Sequence, residues 1–203
     1  MKRTKEDADV TRQGILAAAL RLFSKYGYEA TKLEDIAEAA KVTRGAIYHH
    51  FGGKVGLYNE LTDRVMVRLK KVAEDAVAAG GSSLDILRRV TVQILVSSQQ
   101  DSEIRAIQEL MLQQPVSEPA LRENWEKRIE NGKQTLMLFE EGFQEAIDHG
   151  EVRADVSPRT AALAMIGIQN GLFSLWLVDQ TLFSLEEEAN QAIDIFLRGI
   201  ATN

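Results

Sequence analysis

Apolar residues recur at spacings of three and four along almost the whole of this chain, and only three of its 203 residues are proline. A period near 3.6 buries one face of a helix, whereas a half-buried strand needs strict alternation, and no β-branched alternating run interrupts the pattern. The sequence therefore predicts an all-α fold of about nine helices. Residues 9–26 set Ile15, Ala18, Ala19, Leu22 and Phe23 on one stripe that stops at Gly27, a natural C-terminal glycine. Residues 33–40 bring Leu33, Ile36, Ala37 and Ala40 together, with Thr31 placed to cap and Glu34 and Asp35 in a first turn whose dipole favours negative charge. Thr43 caps a third short helix, Val42 stands where it can staple onto Ile47, and Gly52-Gly53 ends the segment. A long fourth helix runs from Lys54 to about Ala79 and closes at Gly80-Gly81. Further helices are expected near residues 83–99, 101–113, 117–149, 158–178 and 186–201. Their breaks fall at Asp101, Pro115 to Pro119, His149-Gly150 and Ser157-Pro158.

The net charge of −6 argues at first sight against a nucleic-acid partner. Its distribution reverses that argument. Residues 1–60 hold ten Lys or Arg against eight Asp or Glu, a net of +2, and the remaining 143 residues hold 14 against 22, a net of −8. The absence of cysteine excludes a disulfide framework, thiolate zinc sites and thiol catalysis. Met1 to Val10 is charged and lacks the apolar core of a secretory signal, so a cytoplasmic location is expected. Ala161 to Val178 carries no charge for 18 positions, the lower edge of a membrane span. Gln169, Asn170, Gly171 and Ser174 interrupt it, and a buried or subunit-interface helix has the same composition, so no membrane partner is expected.

Residues 41–54, K-V-T-R-G-A-I-Y-H-H-F-G-G-K, concentrate the donors. On a helix starting at Arg44, Ile47 and Phe51 face the interior with His50 near that edge, while Arg44 and Tyr48 share another face with Gly45 and His49 beside them. Arginine pairs with guanine or phosphate, Tyr and Thr hydroxyls bond phosphate oxygens, and small residues let a helix sit deep in the major groove. Two short helices joined by a tight turn, the second presenting such a face, make a helix-turn-helix. Lys54 at the start of the fourth helix, and Thr31 and Lys32 at the entrance to the second, stand where free backbone N–H groups favour phosphate. Lys2, Arg3 and Lys5 form either a groove-reaching arm or a solubilising tail.

Residues 11–54 resemble the DNA-binding domain of the TetR/AcrR family of bacterial regulators, through L-F-x-x-x-G-Y-x-A-T followed by T-R-G-A-I-Y-H-H-F-x-x-K. The resemblance implies a homodimeric, helical, ligand-responsive repressor on a near-palindromic operator. Its DNA-approaching positions fall on Thr31, Thr43, Arg44, Gly45, Tyr48, His49, His50 and Lys54, and its core on Leu22, Phe23, Ile36, Ala37, Val42, Ile47 and Phe51. Lys41 stands at the turn position where the family usually has glycine; if the backbone there needs positive φ, the residue costs about 1 kcal/mol. The chain's ending is similar to the last two helices of multidrug-sensing members, which pair across a dimer. By spacing, Ile193, Phe196, Leu197 and Ile200 make an apolar stripe for intrachain core or for that shared interface, the latter favoured.

The expected organisation is a DNA-binding head at residues 1–54 and a helical ligand-binding and dimerisation domain at 55–203. Polar amides among aromatics and methionines make Gln108, Met111, Gln169, Asn170, Phe173 and Trp176 the candidate contacts for a small, largely apolar effector. No metal is expected: His49 and His50 are adjacent, whereas a helical ligand pair is usually four apart. No cofactor is implied, and without a metal-ligand set, an activated nucleophile or a phosphate-cradling loop no enzyme is expected. A non-specific architectural DNA-binding protein would carry the same head. It is the alternative to a repressor.

Overall fold

The computed structural model describes residues 5–113 and 121–202. Nine α-helices account for most of them, as the periodicity predicts: α1 Lys5–Tyr26, α2 Leu33–Ala39, α3 Arg44–Phe51, α4 Lys54–Ala78, α5 Ser83–Gln100, α6 Ser102–Leu112, α7 Arg122–Asp148, α8 Pro158–Val178 and α9 Leu185–Ile200. Lys2, Arg3 and the break at Pro115 to Pro119 lie outside the described residues, as does the Lys5 side chain.

The chain divides into two compact units. The first holds α1 to α3, α4 as far as Val67, α6, and α7 as far as Trp125. Its core is built from Ile15, Leu16, Ala19 and Phe23 of α1, Ile36 of α2, Ile47 of α3 and Leu57 and Leu61 of α4. An aromatic chain braces it: the Phe23 and Tyr28 rings lie 5.3 Å apart, and Tyr28 meets Tyr58 edge-on at 5.3 Å. α6 adds Ile104, Ile107 and Leu110 to the buried set. Arg64 of α4 donates to Gln13 of α1 at 2.9 Å and pairs with Glu103 of α6 at 3.4 Å, joining three helices of this unit. Asn124 donates to Thr62 at 2.9 Å, so both buried side chains are satisfied.

The second unit comprises residues 68–102 and 126–203. Leu87, Val90 and Val92 of α5, Phe139 and Phe143 of α7, Ala162 and Met165 of α8 and Ile193 and Leu197 of α9 share one core. The predicted α9 stripe thus turns inward, with Ile193 fully buried and the Phe196 ring 6.2 Å from that of Phe143. A second cluster joins Leu95, Phe173, Trp176, Leu185 and Ala189. The orphan N–H groups at the start of α5 are satisfied from outside the helix, because Ser83 and Leu84 donate to the Glu151 carboxylate at 3.2 and 2.9 Å. Among the described residues α8 is the one helix long and apolar enough to cross a membrane, yet Ala161, Ala162, Met165, Phe173 and Trp176 are buried inside this unit.

α5 and α9 are also clamped by charge. Arg88 donates through Nε to Asp194 at 2.5 Å and through Nη2 to Asn190 at 2.9 Å. Its hydrogen bond holds the Asp194 carboxyl below the ordinary aspartate range, with burial opposing. A lowered folded value means that stability is present above the unfolded pKa and is lost as pH falls through the folded one. Asp194→Asn should therefore cost about 1 kcal/mol at neutral pH, since the pair is roughly one-third exposed and partly screened. Urea unfolding should show the wild-type advantage shrinking as the pH drops below the aspartate range, and an equal gap at all pH values would refute this.

Candidate nucleic-acid interface

The outward face of α3 is assembled from local rules. Thr43 stands in extended backbone, and its hydroxyl accepts the Ala46 N–H at 3.2 Å, capping α3 as predicted. Gly52 closes the helix in the left-handed region at φ 73°, a conformation glycine adopts without penalty. Ile47 is fully buried and sets the inward side. Arg44, Gly45, Tyr48 and His49 are exposed on the outward side, and His50 is half-buried at its edge, all as spacing predicts.

Three expected contacts carry additional structural work. The Thr31 hydroxyl is buried and donates to the carbonyls of Gly27 at 2.7 Å and Leu22 at 3.2 Å, so it pins the α1–α2 turn and does not cap α2. Exposed Lys32 takes the N-cap place, its backbone N–H donating to Asp35 at 3.4 Å. The Lys54 ammonium lies 4.3 Å over the Tyr28 ring and donates to the Glu29 carbonyl at 3.2 Å, tying the start of α4 to the α1–α2 turn.

By sequence, Glu34 is only a charge suited to the α2 dipole. In the fold its carboxylate pairs with Arg44 at 2.7 Å, with both side chains about half exposed. Arg12 was also missed: it lies 5.2 Å over the Phe51 ring and pairs with Glu60 at 2.6 Å, bracing the far end of α3. Gly56 is a third residue whose part only the fold shows. A Cβ there would stand 1.6 Å from the Phe51 carbonyl oxygen, so α4 passes the end of α3 too closely for any side chain. A glycine in the first turn of a helix, where it otherwise costs stability, was the available signal.

The candidate effector residues divide between the units. Gln108 and Met111, both half-buried, belong to the first, where the Gln108 carbonyl oxygen is buried without a hydrogen-bond donor. Gln169, Asn170, Phe173 and Trp176 belong to the second. Phe173 and Trp176 pack together at 6.5 Å inside the second cluster, Gln169 is half-buried and Asn170 is exposed. Among the described residues no three His, Cys, Asp or Glu side chains group as a metal site.

A short capped helix with an outward donor face, preceded by a second short helix and a tight turn, defines a helix-turn-helix DNA-binding protein. Residues 15–61 match the tetR family of bacterial regulatory proteins, and residues 82–201 match the C-terminal region of the MAATS-type transcriptional repressors. The chain is 32% identical to the HTH-type transcriptional regulator AcrR of Shigella flexneri, across 97% of this chain and 92% of that protein. It is similar in structure to NalD, the secondary repressor of the MexAB-OprM multidrug efflux pump in Pseudomonas aeruginosa, with a TM-score of 0.84, 31% identity and coverage of 98% and 100%. A complex of SmeT with triclosan is also similar, with a TM-score of 0.79, 25% identity and coverage of 96% and 93%. The chain belongs to the tetR family, and it is a DNA-binding transcriptional regulator.

The turn between α2 and α3 bears a measurable strain. Lys41 has φ 55°, the positive value its family position implies, and it is the one non-glycine in that region among the described residues. Lys41→Gly should relieve about 1–2 kcal/mol of left-handed strain and lose part of that to chain entropy, for a net gain of about 0.5–1 kcal/mol. A thermal melt that does not rise would contradict this. Gly56→Ala should instead destabilise the first unit by about 3 kcal/mol or more through overpacking against backbone. Amide exchange would show it as lost protection in α3 and α4.

Proposed function

We propose that the chain is a homodimeric, effector-responsive repressor whose α3 enters the major groove of a near-palindromic operator. The observation that carries this reading is the outward face of α3, where exposed Arg44 opens a capped helix seated by buried Ile47. Lys32, Thr43, Arg44, Gly45, Tyr48, His49, His50 and Lys54 make up the proposed contact surface, and Thr31 acts by holding the turn from which α2 starts. An architectural protein with the same head would not need a second, ligand-responsive unit, and the relatives named as regulators or repressors favour regulation. Such a partner places the protein in the cytoplasm.

Dimerisation is assigned to α8 with α9. Leu163, Gly167, Gly171 and Leu175 recur at spacing four on α8, all exposed, with Val178 beyond them and no charge on the face. Ile195 of α9 is likewise 71% exposed, an apolar surface that a second copy would cover. This face differs from the inward stripe of Ile193 and Leu197.

For the effector, Gln108 and Met111 of α6 are the proposed contacts within the first unit, and Gln169, Asn170, Phe173 and Trp176 of α8 are those within the second, each set taken by itself. The unpartnered Gln108 oxygen supports an apolar molecule carrying a hydroxyl or N–H donor, since a buried acceptor left alone costs about 1–3 kcal/mol. Triclosan, seen with SmeT, has that chemistry. α6 shares a compact unit with α3, and Arg64 ties it to α1 and α4, so a ligand on Gln108 bears on the unit that reads DNA. The effect is a population shift, and ligand and operator weaken each other's binding by one factor.

Selecting bound fragments from a random duplex pool tests the reading. The selected site should be a near-palindrome with half-sites about 10 bp apart, and Arg44→Ala should cost about 1–3 kcal/mol on it and relax its sequence. Triclosan should quench tryptophan fluorescence and release the duplex. Wild-type affinity in Arg44→Ala would overturn the DNA assignment, and triclosan bound without effect on DNA would overturn the coupling.

A further inference from the structure

Arg44 is the first residue of α3, the end of a recognition helix that reaches base edges. Before any DNA arrives its guanidinium already has a partner, since Nη1 lies 2.7 Å from the Glu34 carboxylate. Glu34 has no capping duty to explain it: the side-chain contact at the start of α2 comes from Asp35, which accepts the Lys32 N–H. Nor does an exposed ion pair of this kind contribute much to stability. Its position is what stands out, because it puts a negative charge beside the residue that meets a polyanion.

We propose that Glu34 is a specificity-determining residue, which orients Arg44 for base readout and opposes its contact with phosphates of arbitrary sequence. This rests on the reading of α3 as the DNA-contacting helix. A guanidinium is a rigid fork of five N–H donors, so a carboxylate on Nη1 fixes its plane and leaves the Nε and Nη2 edge as the pair for O6 and N7 of guanine. Any phosphate within reach of Arg44 is then also within the screening length, about 8 Å at physiological salt, of the Glu34 charge. A directional base contact survives that repulsion because the fork is already aimed. A diffuse phosphate contact has no such compensation. Both effects raise the ratio of specific to non-specific binding, one from each side.

The test uses the full chain carrying Glu34→Gln, Arg44→Gln or both, with melts confirming the fold. Each protein is titrated with the duplex selected by the wild type and with a random-sequence duplex of equal length. Glu34→Gln should bind the random duplex more tightly with a steeper salt dependence, and its selected-to-random ratio should fall about tenfold. In the Arg44→Gln background the same change should leave the ratio unmoved. An unchanged ratio in Glu34→Gln alone, or an equal fall in both backgrounds, would overturn the proposal. A wild type that prefers no duplex would remove the DNA-reading assignment itself, and this proposal with it.

Discussion

An eight-residue helix has no independent stability in water, because nucleation costs more than so few hydrogen bonds return. α3 exists only where its inner side is buried and its ends are satisfied. Ile47 supplies the first, and Thr43 and Gly52 supply the second. α1 gives Ile15 and Phe23 to the same core, Arg12 closes over Phe51, and the bare backbone of Gly56 lets α4 pass the end of the helix. The donor face is therefore a property of the whole first unit, in which Thr31 and Lys54 hold the turns.

What was legible in the sequence was what depends on local rules. The Thr43 cap, the glycine stop after Phe51, the inward Ile47 and the outward Arg44 and Tyr48 follow from residue type and a 3.6 period, and all stand where that logic puts them. The strain at Lys41 was legible too, though only through the resemblance, since nothing in a lone lysine announces a positive φ. The remainder depends on partners distant in sequence. Glu34 meets Arg44 only once α2 folds against α3, and Lys54 finds Tyr28 and Glu29 across 26 and 25 positions. The α9 stripe was legible as apolar, but period alone does not say which apolar neighbour covers it. In the fold, Phe143 and the α5 residues do.

The two units are built on different balances. In the first, aromatic stacking and buried aliphatics hold short elements at fixed angles, as a reading surface requires. In the second, long helices meet through a broad core and are pinned by the Arg88–Asp194 pair and by Glu151 at the start of α5. The unpartnered oxygen of Gln108 sits on the first side of this division. A ligand satisfying it would act on the unit that contains α3.

Charge gives the last link. A protein of net −6 gains little from long-range attraction to DNA, and its first 60 residues carry an excess of only +2. Strongly basic heads bind any duplex well and must discriminate against a large non-specific background. A head this close to neutral starts from weak background binding, so a few directional contacts decide where it rests. The same economy makes each carboxylate beside the reading face count, because so few surplus cations are present to mask it. Electrostatic restraint in the head and fixed geometry in α3 are thus two parts of one solution: specificity obtained by lowering the floor as much as by raising the peak.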